Sequence, residues 1–115
     1  GVQGFLHWGF NFYNTAFSVE EVDPYADTSA GGIFPSGDSF IVYPNKDGLL
    51  MTIRAECINE AIQDYRLCLL LEKKIGKTAV QQLLNSFEIS DYNVYPRSVT
   101  KHNEIRKKLI EYVTK

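Results

Sequence analysis

Phe5-Leu6-His7-Trp8-Gly9-Phe10-Asn11-Phe12 is dense in aromatic and apolar side chains and contains no Asp, Glu, Lys or Arg. A short uncharged run of this kind reads as a strand covered on both faces, as in a parallel sheet with helices packed against it. Alternation divides it into two faces. Leu6, Trp8, Phe10 and Phe12 form a wholly apolar set, whereas His7, Gly9 and Asn11 form a smaller, partly polar one. One face calls for a greasy partner and the other tolerates a cavity. With helical patterns downstream, the fold class is α/β.

Outward from this strand, Tyr13 to Pro44 carries Asn14, Asp23-Pro24, Asp27, Ser29, Gly31-Gly32, Pro35-Ser36-Gly37 and Pro44, a density of turn residues that excludes a long regular element. Only Ser39-Phe40-Ile41-Val42-Tyr43 within it is strand-like. Connections of this length tend to be lids or binding loops. Asn45-Lys46-Asp47-Gly48 reads as a turn, and from about Thr52 to Lys74 apolar residues recur at helical spacing: Ile58, Ala61, Ile62, Tyr65, Cys68, Leu69 and Ile75. Glu56, Asn59, Glu60, Gln63 and Asp64 fill the opposite side. Lys73 and Lys74 suit the last turn, and Gly76 stops the helix. Thr78 with Gln81 makes a capping box for a shorter helix through Val80, Leu83, Leu84 and Phe87. After a connection at 90–96, Ser98 or Thr100 caps a final helix that runs to about Val113.

The 115 residues, 44% hydrophobic and 23% charged, allow one domain at most and contain no window apolar enough to cross a bilayer. A formal charge of −2, with basic residues clustered only in the tail (Lys101, Arg106, Lys107, Lys108, Lys115), argues against nucleic acid as a partner, since phosphate binding needs a basic face. Those tail residues alternate with Ile105, Leu109, Ile110, Tyr112 and Val113, the pattern of an amphipathic helix with a solvated side. Cys57 and Cys68 fall on one helix, about 16 Å apart at 1.5 Å per residue, too far to pair with each other. With no CxxC, no HExxH and two isolated histidines, His7 and His102, there is no metal signature and no cofactor is expected. The compartment stays open. A first residue of Gly1, with a strand only a few residues later, fits a piece cut from something longer.

Gly4-Phe5-Leu6-His7-Trp8-Gly9-Phe10-Asn11, then Pro35-Ser36-Gly37-Asp38-Ser39-Phe40-Ile41-Val42-Tyr43-Pro44, then Thr52-Ile53-Arg54-Ala55-Glu56 and Glu60-Ala61-Ile62-Gln63-Asp64-Tyr65 follow a known order of blocks. This order resembles the C-terminal region of bacterial proteins related to the β-N-acetylgalactosaminidase family, glycoside hydrolase family 123. In that family a G-[FY]-L-x-W strand precedes a P-x-G-D-[GST]-x-x-x-Y-P loop and an S-I-R-x-E-x-x-R-[DE]-G-I-x-D-Y-E helix. The resemblance covers roughly residues 4 to 71. Thr52 stands for the usual Ser, Ile58-Asn59-Glu60-Ala61 replaces L-R-[DE]-G, and Arg66 replaces the final Glu. The departures leave the helix intact, Ala61 for Gly favouring it, and bear on the substrate more than on the fold.

The resemblance implies a C-terminal fragment of a (β/α)8 barrel, since a complete barrel needs roughly 250 residues. The expected divisions are 4–12 as the last barrel strand, 13–48 as the long loop with a short second strand, 49–76 as the closing helix and 77–115 as C-terminal helices. It also implies retaining hydrolysis in which the substrate's 2-acetamido group is the nucleophile, oriented by an Asp beside a Glu general acid. No such Asp-Glu pair is present, Glu20-Glu21 with Val22-Asp23 being a loop sequence that does not match, so no catalytic residue carries over.

The substrate-binding candidates are Trp8, Asn11, Asp38 and Tyr43. Trp8 either stacks on a sugar or belongs to the core; Asn11 is the polar candidate of opposite parity, and both face one site only if the strand end is irregular. Asp38 either bonds sugar hydroxyls or caps its own turn. Tyr43 is divided between ligand contact and packing. Arg54, Glu56, Asp64 and Tyr65 read as scaffold, their partners lying elsewhere in the fold, and each lone histidine reads as a satisfied structural residue. The expected function is the C-terminal portion of a hexosaminidase-type carbohydrate-active enzyme, inactive alone, with a carbohydrate substrate met through the parent enzyme and no membrane or nucleic-acid partner. The alternative is a noncatalytic module that binds a glycan or a protein. Leu6, Trp8, Phe10 and Phe12 need cover, so self-association of the isolated chain is expected.

Overall fold

The turn at Lys46-Asp47 joins strands β1 (Val42–Asn45) and β2 (Gly48–Met51) into an antiparallel hairpin, with Val42 opposite Met51 and Asn45 opposite Gly48. The computed structural model describes residues 4–15 and 19–115; of the long loop, residues 16–18 lie outside the described residues. Three helices follow: α1 (Ile53–Ile75), α2 (Lys77–Ser86) and α3 (Val99–Thr114). The fold is thus a mixture of helices with a small two-stranded sheet. None of the described helices is long and apolar enough to cross a membrane.

Contacts divide the chain into two units, Gly1–Ile58 and Asn59–Lys115, with the division inside α1. In the first, Ile41 and Val42 are buried with Ala55 from the first turns of α1, and Ile58 packs beside them. The turn-rich segment is tied to β1 by tyrosines: the Tyr13 hydroxyl donates to the Val42 carbonyl at 2.7 Å and the Tyr25 hydroxyl to the Pro44 carbonyl at 2.6 Å. Burial, together with the neighbouring Tyr25 and Tyr43, pushes the Tyr13 phenol up, so it stays a donor. In the second unit, Leu71, Val80, Ile105 and Leu109 form the buried core, with Leu67, Cys68, Leu83 and Phe87 among its partly buried neighbours. Burying each such aliphatic side chain is worth about 1.5–3 kcal/mol.

Several sequence expectations change. Residues 5–12 form no regular strand: their ladder is one isolated antiparallel bridge, Asn11 with Phe40. A strand needs a partner along its length, and among the described residues the backbone bonds of this segment go to Ser39, Ile41 and Val42 alone. Its apolar set is correspondingly open, with Leu6 92% and Phe10 50% exposed. The second strand begins at Val42 rather than Ser39. Residues 49–51, expected in the closing helix, are β2, because the two-residue turn folds them back onto β1. Helix α1 starts where Thr52 accepts the Ala55 N–H on its hydroxyl at 3.3 Å, the geometry of an N-cap. Thr78 is inside α2, whose N-cap is Gly76 without a side-chain bond, so the capping box is not formed. Ser98 caps α3 and accepts from the Lys101 N–H.

The buried face of α1 is the largest correction. In the second unit it packs through Leu67, Cys68 and Leu71, while Ile62, Tyr65 and Leu69, assigned inward from spacing, are 43%, 45% and 38% exposed. Cys68 and, in the first unit, Ile58 keep the inward place that spacing gave them, while Asp64, assigned to solvent, lies on the stripe that meets α3. Arg106 of α3 lies 3.3 Å from both Glu60 and Asp64 and donates to Gln63 at 2.7 Å, and His102 is 3.5 Å from Asp64. Arg106, read as part of a solvated face, is therefore mostly enclosed, and Asp64 has the distant partners its scaffold reading required.

Candidate functional site

Gly9 lies against the backbone of residues 38 and 39 so closely that a Cβ on it would sit 2.7 Å from the Asp38 carbonyl oxygen and from the Ser39 Cα. Only glycine permits this approach. The two segments are then joined by backbone bonds: Phe12 N–H to Ser39 carbonyl at 3.0 Å and Ile41 N–H to Phe10 carbonyl at 2.7 Å. With the segments in this register, the Trp8 indole Nε1–H donates to Asp38 Oδ2 at 3.2 Å, across thirty positions of sequence. The indole is 49% exposed. Phe34 and Phe12 lean on it with ring centroids 4.5 and 5.6 Å away, which fixes its orientation.

The arrangement joins two of the four candidate residues, Trp8 and Asp38. The bond found on the Asp38 carboxylate is the indole's, while its own N–H donates to the Pro35 carbonyl. Among the described residues the carboxylate accepts no backbone N–H of its own turn; that arrangement occurs at Asp23 and Asp27, which accept backbone N–H groups two residues on. Asn11 is exposed, and its described contact is the bridge to Phe40. Tyr43 is half-buried in a separate cluster, its ring 4.9 Å from Phe40 and 5.1 Å from Tyr25. His7 accepts the Gly9 N–H on Nδ1 at 3.1 Å, a local structural role.

Chemically, an aromatic face with a carboxylate at its edge can stack on the C–H face of a pyranose while accepting from its hydroxyls. One participant escaped sequence reading: Phe34 was one aromatic in a loop whose path spacing does not reveal. Arg54, read as scaffold, has partners that are far away in sequence. Arg54 donates from Nε to the Phe40 carbonyl at 3.0 Å, and its guanidinium lies 5.7 and 5.9 Å from the Phe40 and Tyr43 ring centroids. Among the described residues, no group of three or more His, Cys, Asp or Glu side chains could hold a metal ion.

The chain is of the glycoside hydrolase kind. It belongs to the family described as Glycoside hydrolase 123, catalytic domain, whose profile matches residues 1–71. The matched span contains both Trp8 and Asp38, and it ends within α1. A search of curated proteins finds no match to the chain.

Proposed function

We propose that this chain forms one wall of the sugar site of a hexosaminidase-type glycoside hydrolase, as the long loop and closing helices of a (β/α)8 barrel whose Asp-Glu pair lies on another part of the polypeptide. The observation that carries this reading is the Trp8–Asp38 pair: a half-exposed indole, braced by two aromatic rings and hydrogen-bonded to a carboxylate. Family membership supplies the reaction class. The exposed faces of residues 5–10 and of Ile62 and Leu69 on α1 are surfaces that neighbouring barrel elements would cover. In this reading Trp8 stacks on the sugar and Asp38 accepts from a hydroxyl, with Asn11 and Tyr43 at the margin of the site.

Asp38→Ala in the complete polypeptide tests it. If Asp38 holds a hydroxyl more tightly in the transition state, both kcat and kcat/KM on an aryl N-acetylhexosaminide fall, on the order of tenfold to a hundredfold for one charge-assisted hydrogen bond. The melting temperature changes little, because the bond to Trp8 is solvent-exposed. Kinetics near wild type together with a clear loss of thermal stability would make Asp38 a structural residue and remove it from the site.

A further inference from the structure

We propose that Arg54 is the positioning residue of this site: it sets where Asp38 stands against Trp8 without touching sugar itself. Its consequence for turnover rests on the sugar-site reading above; its effect on Asp38 does not.

Arg54 is the second residue of α1, and the start of that helix is anchored to the loop, since the Thr52 hydroxyl bonds the Ile41 carbonyl and also accepts the Ala55 N–H. From this fixed origin the guanidinium reaches the loop on both sides of Asp38. On one side, Nε–H donates to the Phe40 carbonyl and the cation faces the Phe40 and Tyr43 rings. On the other, it fills the space that a side chain at Gly37 would need: an ideal Cβ there would lie 2.6 Å from Nη1 and 2.9 Å from Cζ, and the residue's φ of +81° is itself one that L side chains rarely adopt. One planar group thus bonds residue 40 and borders residue 37, and only Asp38 and Ser39 lie between them. Gly9 closes against the backbone of the same two residues.

A two-residue span bonded at Phe40, bordered by the guanidinium at Gly37 and closed on by Gly9 has few conformers left to lose when a ligand arrives, so the carboxylate is preorganised. A lysine offers a point charge and cannot present an Nε–H to one residue and a flat Nη edge to another. Arg54 also keeps Nη2 buried with no hydrogen-bond partner among the described residues. A donor left unpaired costs stability, which fits a residue retained for geometry rather than as an optimised anchor.

Trp8 is the sole tryptophan of the chain, so its indole N–H gives a single, assignable resonance in a nitrogen–proton correlation spectrum, and Asp38→Asn marks where that resonance lies without the carboxylate. Arg54→Met is expected to move the resonance toward the Asp38→Asn position, with Arg54→Lys in between. Arg54→Lys, which keeps the charge and most of the stem, keeps the test open if Arg54→Met fails to fold. In the complete polypeptide, Arg54→Lys should lower kcat/KM on an aryl N-acetylhexosaminide on the order of tenfold, and the loss should vanish in an Asp38→Ala background, as coupled residues require. An indole resonance unmoved by folded Arg54 variants, or by Asp38→Asn, overturns the proposal, as does a kcat/KM loss that persists without Asp38. If the wild-type polypeptide turns over no such substrate, the sugar reading falls while the resonance still decides the role of Arg54.

Discussion

At the scale of single residues, contacts that cross the chain separate what spacing reveals from what it hides. Trp8 and Asp38 were each legible as candidates because an aromatic strand end and a carboxylate after Pro-Ser-Gly are chemically conspicuous; that they bond to each other depends on Gly9 allowing two backbones to touch. Arg54 was legible as scaffold, but its partners Gly37 and Phe40 lie fourteen or more positions away and follow no helical rule. The cysteines illustrate the other case, where geometry along one helix suffices. Both are free, Cys57 exposed and Cys68 half-buried on α1. Burial, then the nearby Asp64 and Glu72 carboxylates, pushes the Cys68 thiol up, which lowers its thiolate fraction near neutral pH. Iodoacetamide at pH 8 should therefore modify Cys57 well before Cys68, and a nonreduced digest should contain no Cys57–Cys68 peptide. Faster labelling of Cys68, followed by mass spectrometry, would contradict the packing of Leu67, Cys68 and Leu71 against the second unit's core.

At the scale of elements, the helices and the hairpin turn were readable, whereas which face of α1 is buried was not. Residues 58–71 carry apolar side chains on two stripes, so periodicity establishes a helix without choosing its inner side. The choice is made by α3, whose Arg106 meets the carboxylates on the stripe that also bears Leu67 and Leu71. The segment 5–12 failed as a strand for a related reason: composition shows what a ladder would suit, not whether a partner is there. The turn-rich loop owes its order to local polar bonds instead. Asp27 accepts the Ser29 N–H and hydroxyl, both at 2.8 Å, and the Gly31 N–H at 2.7 Å. The Ser29 backbone bond first, then the Ser29 hydroxyl and the Gly31 bond, hold its carboxyl below the ordinary value. A depressed folded pKa means that the stabilisation is fully present above the unfolded value, about 3.9, and is lost as pH falls through the folded one. Asp27→Asn should remove this part of the acid sensitivity. Hydrogen exchange of the Ser29 and Gly31 amides measures it: protection should fall on acidification in wild type and be low and nearly pH-independent, after correction for intrinsic rates, in the variant. Protection in Asp27→Asn equal to wild type at neutral pH would mean that the carboxylate does not order the turn.

At the scale of the whole molecule, the proposed role as one wall of a larger site has two consequences for the 115-residue chain on its own. Lacking an adjacent Asp-Glu pair, it should hydrolyse an aryl N-acetylhexosaminide no faster than buffer, and turnover above that control would sink the fragment reading. The second consequence concerns surface. Phe5, Leu6 and Phe10 are 73%, 92% and 50% exposed, and along β2 and the start of α1 Leu49, Met51 and Ile53 are 55%, 64% and 75% exposed. Scattered apolar residues are ordinary on any surface, but runs of large ones within a few positions are not. Each such side chain gains roughly 1.5–3 kcal/mol on full burial, so covering both runs gains free energy of the same order as the cost of bringing two chains together, about 4–15 kcal/mol. Sedimentation velocity on the isolated chain should show weight-average mass rising with concentration. Leu6→Glu combined with Met51→Glu should shift the distribution toward monomer without loss of helical circular dichroism, since neither side chain belongs to the buried clusters. A wild-type chain that remains monomeric at high concentration, with its helices intact, would show that these runs are tolerated by water and would remove the strongest reason to suppose that further barrel elements cover them.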